Sequence, residues 1–266
     1  MKGFILSFRS EFYKSRKTLG FWASIILPML IGVLLFTGFY VKSERLVSLP
    51  PMVLWLQFAG AILGIMGSLI LPMYIIFIAY SVNSIEHRAD TWKTLFNLPI
   101  PRWSVYAAKY FYAVFLVFLC LSLFVLFTIG FGNLLSIVKP ELRFDNFHME
   151  SELAQIYFKL FLSSLGILSI QFLLSLLWAD FLKPMGIGFI CTIAGVVAAS
   201  KGWEYSYLYP YAHPMEAISS MLKNNHGDPS NRLQIDVFTK DVSVSLIIAL
   251  VVFVAGYFIV QRKSVK

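Results

Sequence analysis

Six apolar stretches divide this chain, each long enough, or nearly so, to cross a hydrocarbon core of about 30 Å, which takes roughly 20 residues of helix. They are Gly20–Tyr40, Leu54–Val82, Val105–Leu135, Leu160–Ala179, Pro184–Ser200 and Val242–Val260. The pattern predicts an all-α, polytopic membrane protein with six transmembrane helices, forming one transmembrane domain over residues 1–266. The second and third stretches exceed span length, so they are expected to tilt, kink or project beyond the bilayer. Pro28 and Pro72 are the expected kinks. The fifth stretch is the shortest. It follows the fourth across only Asp180-Phe181-Leu182-Lys183, which predicts a tight antiparallel pair.

Two polar segments carry helical periodicity of their own. In residues 1–18, Met1, Phe4, Ile5, Phe8, Phe12 and Leu19 fall on one helical face, with Lys2, Arg9 and Arg16 away from it. Leu6 and Glu11 break the pattern. A basic amphipathic helix lying in the membrane interface fits. In residues 83–109, Ile85, Ala89, Trp92 and Phe96 recur at helical spacing and form a narrow apolar stripe. Glu86, His87, Arg88, Asp90 and Lys93 fill the other faces. Pro99 and Pro101 must end this helix, since proline has no N–H and disfavours helix before it. Arg102, Trp103 and Lys109 then mark a membrane surface. A short helix across the mouth of two spans is predicted, read either as a docking element or as a solvated connector.

Composition sharpens the class. Charged residues make up 14% of the chain and apolar residues 58%, where soluble domains have about 25% charged residues. The net charge of +8 is not gathered on one soluble face. The cations flank the apolar runs, which points to anionic lipid and topology, not to nucleic acid. With both termini in the cytoplasm, the inner segments hold Lys2, Arg9, Lys14, Arg16, Lys17, Arg88, Lys93, Arg102, Lys109, Lys183, Arg262, Lys263 and Lys266, and the outer segments hold most of the acids. That satisfies the positive-inside rule and places the 83–109 element in the cytoplasm of a cell-membrane protein. The first apolar run lacks a small-residue cleavage site after it, so no cleavable leader is expected. Cys120 and Cys191 lie inside apolar runs and imply no disulfide framework. Trp203, Tyr205, Tyr207, Tyr209 and Tyr211 form an aromatic run suited to an interface, and Pro214–Leu222 suits a short surface helix.

Chemistry is sparse. There is no G-x-x-x-x-G-K-[ST] loop to cradle nucleotide phosphates and no H-E-x-x-H or G-x-S-x-G motif. The histidines His87, His148, His213 and His226 lie in separate segments without ligand spacing and read as solvated loop residues. No catalytic, metal or cofactor site is expected. No ionisable residue is expected deep in the spans, so the energy for any transport must come from elsewhere. Gln171 is the clearest mid-span polar side chain, expected to bond between helices at roughly 1 kcal/mol. Gly60, Gly64 and Ser68, and Gly195 and Ala199, form small-residue faces that suit close helix contact, read as internal packing or, alternatively, as a dimer seam, with internal packing expected.

Together these features resemble the membrane subunit of an ABC-2 type exporter, of the kind found in lantibiotic self-protection and bacitracin resistance. The resemblance covers most of the chain: basic amphipathic lead-in, six spans, both ends cytoplasmic, and a helix between spans two and three. Its local signature is Glu86, Thr91, Leu95, Pro99, Arg102 and Lys109; members commonly carry Gly just before the Thr, where this chain has Asp90. The resemblance implies a separate cytoplasmic ATPase and a dimeric permease, homo- or heteromeric, surrounded by lipid. It makes the 83–109 element a coupling helix, with Ile85, Glu86, Arg88, Ala89, Thr91, Trp92, Lys93, Leu95, Phe96, Pro99 and Arg102 as the ATPase-binding residues. The scarcity of polar groups in the spans suggests a hydrophobic or amphipathic cargo. The alternative is a membrane enzyme or structural protein without an ATPase, for which the acids at 141–152 are the only candidate cluster.

Overall fold

The computed structural model describes residues 2–89, 100–224 and 235–262, which are helical with no strand among them. An amphipathic helix α1 (Lys2–Ser15) precedes six membrane-length helices: α2 (Leu19–Val41), α3 (Pro51–Ala89), α4 (Arg102–Val138), α5 (Glu150–Leu177), α6 (Leu182–Ser200) and, after a short helix α7 (His213–Asn224), α8 (Lys240–Arg262). The six predicted spans are present. Two of them, α3 at its end and α5 at its start, run well beyond the apolar runs, because a helix carries on past the apolar core until its backbone is capped or broken. α5 begins at Glu150, not Leu160, with Glu150 and Glu152 in a first turn where the helix dipole favours them.

Local sequence explains the ends. Thr18 caps α2 by accepting from the Phe21 N–H. Pro51 opens α3, where a missing N–H costs nothing. Gly202 ends α6 at φ 65°. Its N–H donates to the Ala199 carbonyl and that of Trp203 to Ala198, each at 3.1 Å, closing the last turn in a left-handed glycine cap. Within α3 the helix widens into a π turn over Met66–Ile70, just before Pro72. Pro72 has no N–H for the Ser68 carbonyl, and the widened turn takes up the lost bond and the ring's bulk. Pro28 sits inside an unbroken α2.

α3 and α5 form the centre. Over their most apolar stretches 56% and 61% of residues are buried, against 22% for α2, α6 and α8, whose outer faces carry exposed Leu, Ile, Val and Phe. α5 packs chiefly on α8 and α3, and α2 and α1 pack on α4. The expected tight pairing of the fourth and fifth spans does not form. α6 turns away from α5 and packs on α3 and on the Pro210–Ala212 turn. Gly195 allows this close approach, because a Cβ there would run into the Tyr211 backbone. Gly60 and Gly64 behave differently. They are exposed, with nothing within 4 Å of a Cβ, so that face does not pack internally as expected.

The segment between α4 and α5 folds back over α3. Arg143, at φ 52°, reverses the chain between two short turns and brings Phe144 inside. The Trp55 indole N–H donates to the Phe144 carbonyl at 2.8 Å, and the two rings meet edge to face.

Candidate functional site

Residues 83–89 do not belong to a separate helix lying across the membrane. They are the last turns of α3, continuous with the second span. Their inward positions follow those of the span above: Ala79, Val82, Asn83 and Glu86 are buried at helical spacing. Glu86 therefore points into the bundle instead of lying on a polar outer face. Ile85 is half-buried, and Arg88 and Ala89 are exposed. Thr91, Trp92, Lys93, Leu95, Phe96 and Pro99 of the expected coupling helix lie outside the described residues. On the far side of that segment, Arg102 opens α4 and donates to the Gln261 carbonyl near the end of α8 at 3.4 Å. Trp103 is exposed beside it.

Glu86 meets two ammonium groups that approach from two other helices, and Glu11 completes the set. Lys109, on the second turn of α4, has no exposed surface and contacts Glu86 Oε2 at 2.5 Å and Glu11 Oε2 at 2.9 Å. Lys14 contacts Glu86 Oε1 at 3.0 Å and Glu11 Oε1 at 3.2 Å. Each carboxylate thus bridges both ammonium groups, and each ammonium bridges both carboxylates. The result is a closed, neutral ring of four charges joining α1, α3 and α4. The third Lys109 proton goes to the Val82 carbonyl at 3.1 Å. Such a ring compensates buried charges that would be costly singly. Burial pulls the Lys14 ammonium down, but Glu11 and Glu86 outweigh it and hold it above the usual lysine range.

The ring explains the irregularity in the N-terminal helix. Ser7, Glu11 and Ser15, one turn apart, are the buried stripe of α1, with Phe8 and Phe12 beside them. Ser15 and the Tyr112 hydroxyl share a short hydrogen bond, and Phe8 packs edge-on to Tyr112. Ile5 and Leu6 face outward. The apolar face read from periodicity therefore splits: its phenylalanines lie against the bundle and Ile5 lies outside. The acid that broke the pattern is what docks the helix. Glu11 and Lys14 were missed as site residues, and Lys109 was read as a membrane-surface marker. The signal for Glu11 was present, a lone acid interrupting an apolar face.

A polar seam continues from this ring along α3 and α5. The Asn83 amide donates to Ser175 Oγ at 2.8 Å, His87 Nε2 lies 3.0 Å from the Ser175 carbonyl, and Gln171 donates to the Tyr211 hydroxyl at 2.7 Å. Gln171 thus bonds to the Pro210–Ala212 turn, not to another span. His213, read as a solvated loop residue, has no exposed surface. Lys159, in the N-terminal half of α5, is buried too, so a membrane-length helix does hold an ionisable side chain. Among the described residues no group of three His, Cys, Asp or Glu converges to hold a metal ion.

Comparison with known proteins gives this geometry its family. A family model described as "ABC-2 family transporter protein" matches residues 7–195, from the buried stripe of α1 to Gly195 of α6. No curated protein and no solved structure matches the chain. The match covers well over half of the sequence: the chain belongs to the ABC-2 family of transporter proteins. It is a multi-pass membrane permease subunit of an ABC transporter, a family whose members work with an ATP-binding subunit.

Proposed function

We propose that the chain is the permease of an exporter in the cell membrane. A cytoplasmic ATPase would dock on the segment from Ile85 to Arg102, and both chain termini would lie in the cytoplasm. The observation that carries this reading is the four-charge ring. The segment 90–99 joins the last turn of α3 to the first turn of α4, and Glu86 and Lys109 tie those two ends together and to α1. A push on the segment reaches three helices at once, since a satisfied buried network moves as a unit. In this reading Trp92 and Phe96 supply the apolar anchor. Arg88, Lys93 and Arg102 orient the ATPase through its acids, and Ala89, Thr91, Leu95 and Pro99 shape the contact. Glu86 acts from inside, holding the docking element to the bundle.

The cargo is hydrophobic or amphipathic, a peptide or lipid handled near the bilayer, of the sort met in lantibiotic immunity or antibiotic resistance. An apolar groove of about 340 Å³ between α4 and α5, lined by Phe118, Leu121, Val125, Leu126, Tyr157 and Phe158, supports this. A second permease chain, identical or not, would complete the pathway. The exposed Gly60–Gly64 face of α3 offers a close-packing surface for it.

The reading is tested by co-purifying the chain with an ABC ATP-binding subunit and measuring ATP hydrolysis. The complex should hydrolyse ATP and the permease alone should not. Turnover by the isolated chain, or failure of any ATP-binding subunit to form a stoichiometric complex, would overturn it.

A further inference from the structure

A second charged cluster lies at the other end of the bundle, where α7 and α8 begin. His213 opens α7 with no exposed surface, and its Nε2 lies 2.8 Å from the Tyr207 carbonyl. A carbonyl only accepts, so Nε2 carries the hydrogen and the lone pair of the neutral ring sits on Nδ1. Nδ1 is buried without a partner. Asp241, in the first turn of α8 and 5% exposed, has its Oδ2 buried without a partner as well. α7 and α8 pack directly on each other, and the carboxylate's charge acts on the imidazole. Two buried acceptors thus share one junction, and neither has a donor. The arrangement is one proton short of being satisfied.

We propose that His213 is a proton-binding site that switches the junction of α7, α8 and the Tyr207–Ala212 segment on mild acidification. A proton taken from solvent onto Nδ1 turns that atom from acceptor to donor. Nε2 keeps its hydrogen and its bond to Tyr207. The new N–H has Asp241 Oδ2 as its acceptor, which draws the start of α7 toward the start of α8.

The surrounding charges set the response. On α7 itself, Glu216 accepts from the Ser206 hydroxyl at 2.6 Å. From α5 comes Lys159, on which Asp241 and Asp236 act. From α8, the Lys240 ammonium lies 5.9 Å from the Tyr207 ring. The short turns add the Tyr209 hydroxyl, which donates to the Cys191 carbonyl, and the Tyr211 hydroxyl, which accepts from Gln171. Burial holds the imidazole below its usual range, against the opposing pull of the Tyr207 carbonyl, Asp241 and Glu216. The arrangement described is therefore the neutral one. A folded-state value below the unfolded one means that His213 supports this arrangement above about pH 6.5. That support is lost as pH falls through the folded value.

The experiment is a titration of isotope-labelled histidine in the full chain, in lipid nanodiscs, followed by NMR from pH 8 to 5. His213→Gln identifies the resonance: a glutamine amide still donates to Tyr207 but does not titrate. His213 should titrate with a midpoint below about 6.5, and Asp241→Asn should lower it by a further half unit or so, about threefold in proton affinity. The melting temperature should fall more between pH 7.5 and 5.5 in the wild type than in His213→Gln. Should His213→Gln fail to fold, the resonance is identified as the histidine most shielded from a soluble relaxation agent, and the Asp241→Asn shift decides. A midpoint at or above 6.5, no titration down to pH 5, a midpoint unmoved by Asp241→Asn, or equal losses of melting temperature would each overturn the proposal.

Discussion

Lys109 Nζ lies 2.5 Å from Glu86 Oε2, and neither side chain reaches solvent. The pair joins the two ends of the segment that we propose docks the ATP-binding subunit. Glu11 and Lys14 close it into a ring, so the amphipathic helix ahead of the first span is fixed to the same point.

Breaking the ring at Lys109 should be costly. Lys109→Met leaves Glu11 and Glu86 facing each other, with only the partly exposed Lys14 between them. Removal of one partner of a buried charge set costs about 3–5 kcal/mol. Denaturation in micelles should show a loss of that size, and Lys109→Met with Glu86→Gln should lose less than Lys109→Met alone. Arg9→Gln, on the exposed side of α1, should stay within about 0.5 kcal/mol of wild type. If Lys109→Met were as mild as Arg9→Gln, the ring would not be what holds α1 in place.

The two small-residue faces should respond oppositely to added bulk. Gly195→Val drives a side chain into the Tyr211 backbone, an overpacking worth about 1–3 kcal/mol. Gly60→Val meets open space and should leave the stability of the single chain unchanged. Melting curves of the two variants, measured in the same detergent, provide the comparison. A loss from Gly60→Val that grows with protein concentration would identify that face as the seam with a second chain.

Orientation is open to direct labelling. Cysteines replacing Arg45 and Asn225 should react with an impermeant thiol reagent added to intact cells, and one replacing Lys93 should react only after permeabilisation. Labelling of position 93 in intact cells would reverse the topology and remove the ATPase-docking proposal with it.

Docking is tested by two tryptophans on either side of the prolines. Trp92→Ala should abolish co-purification of the ATP-binding subunit while leaving membrane insertion intact, since loss of a buried aromatic anchor costs about 2 kcal/mol or more. Trp103 is half-exposed at the start of α4 and is proposed to meet lipid headgroups, not the ATPase, so Trp103→Ala should do neither. Equal effects from the two substitutions would return the segment to the status of a connector.

The sequence by itself determined the six spans and the membrane class. Runs of apolar residues long enough to cross a bilayer have few other uses, and backbone hydrogen bonding in lipid leaves helices as the economical solution. It also marked the region between spans two and three, through its charge and its prolines. Tertiary structure decided which way the polar residues of that region face. Periodicity placed Glu86 on an outer face because an acid is normally solvated, and only the approach of Lys109 and Lys14 from two other helices makes an inward carboxylate tolerable. Likewise a glycine spacing is the same in sequence whether or not a backbone comes near it. Gly195 has the Tyr211 backbone against it and Gly60 has none, because contacts between distant segments depend on how helices pack, not on their local pattern. His213 follows the same logic. Nothing in its immediate sequence, Tyr211-Ala212-His213-Pro214-Met215, marks it for burial, but the helix it opens packs on α5 and α8, elements distant in the chain.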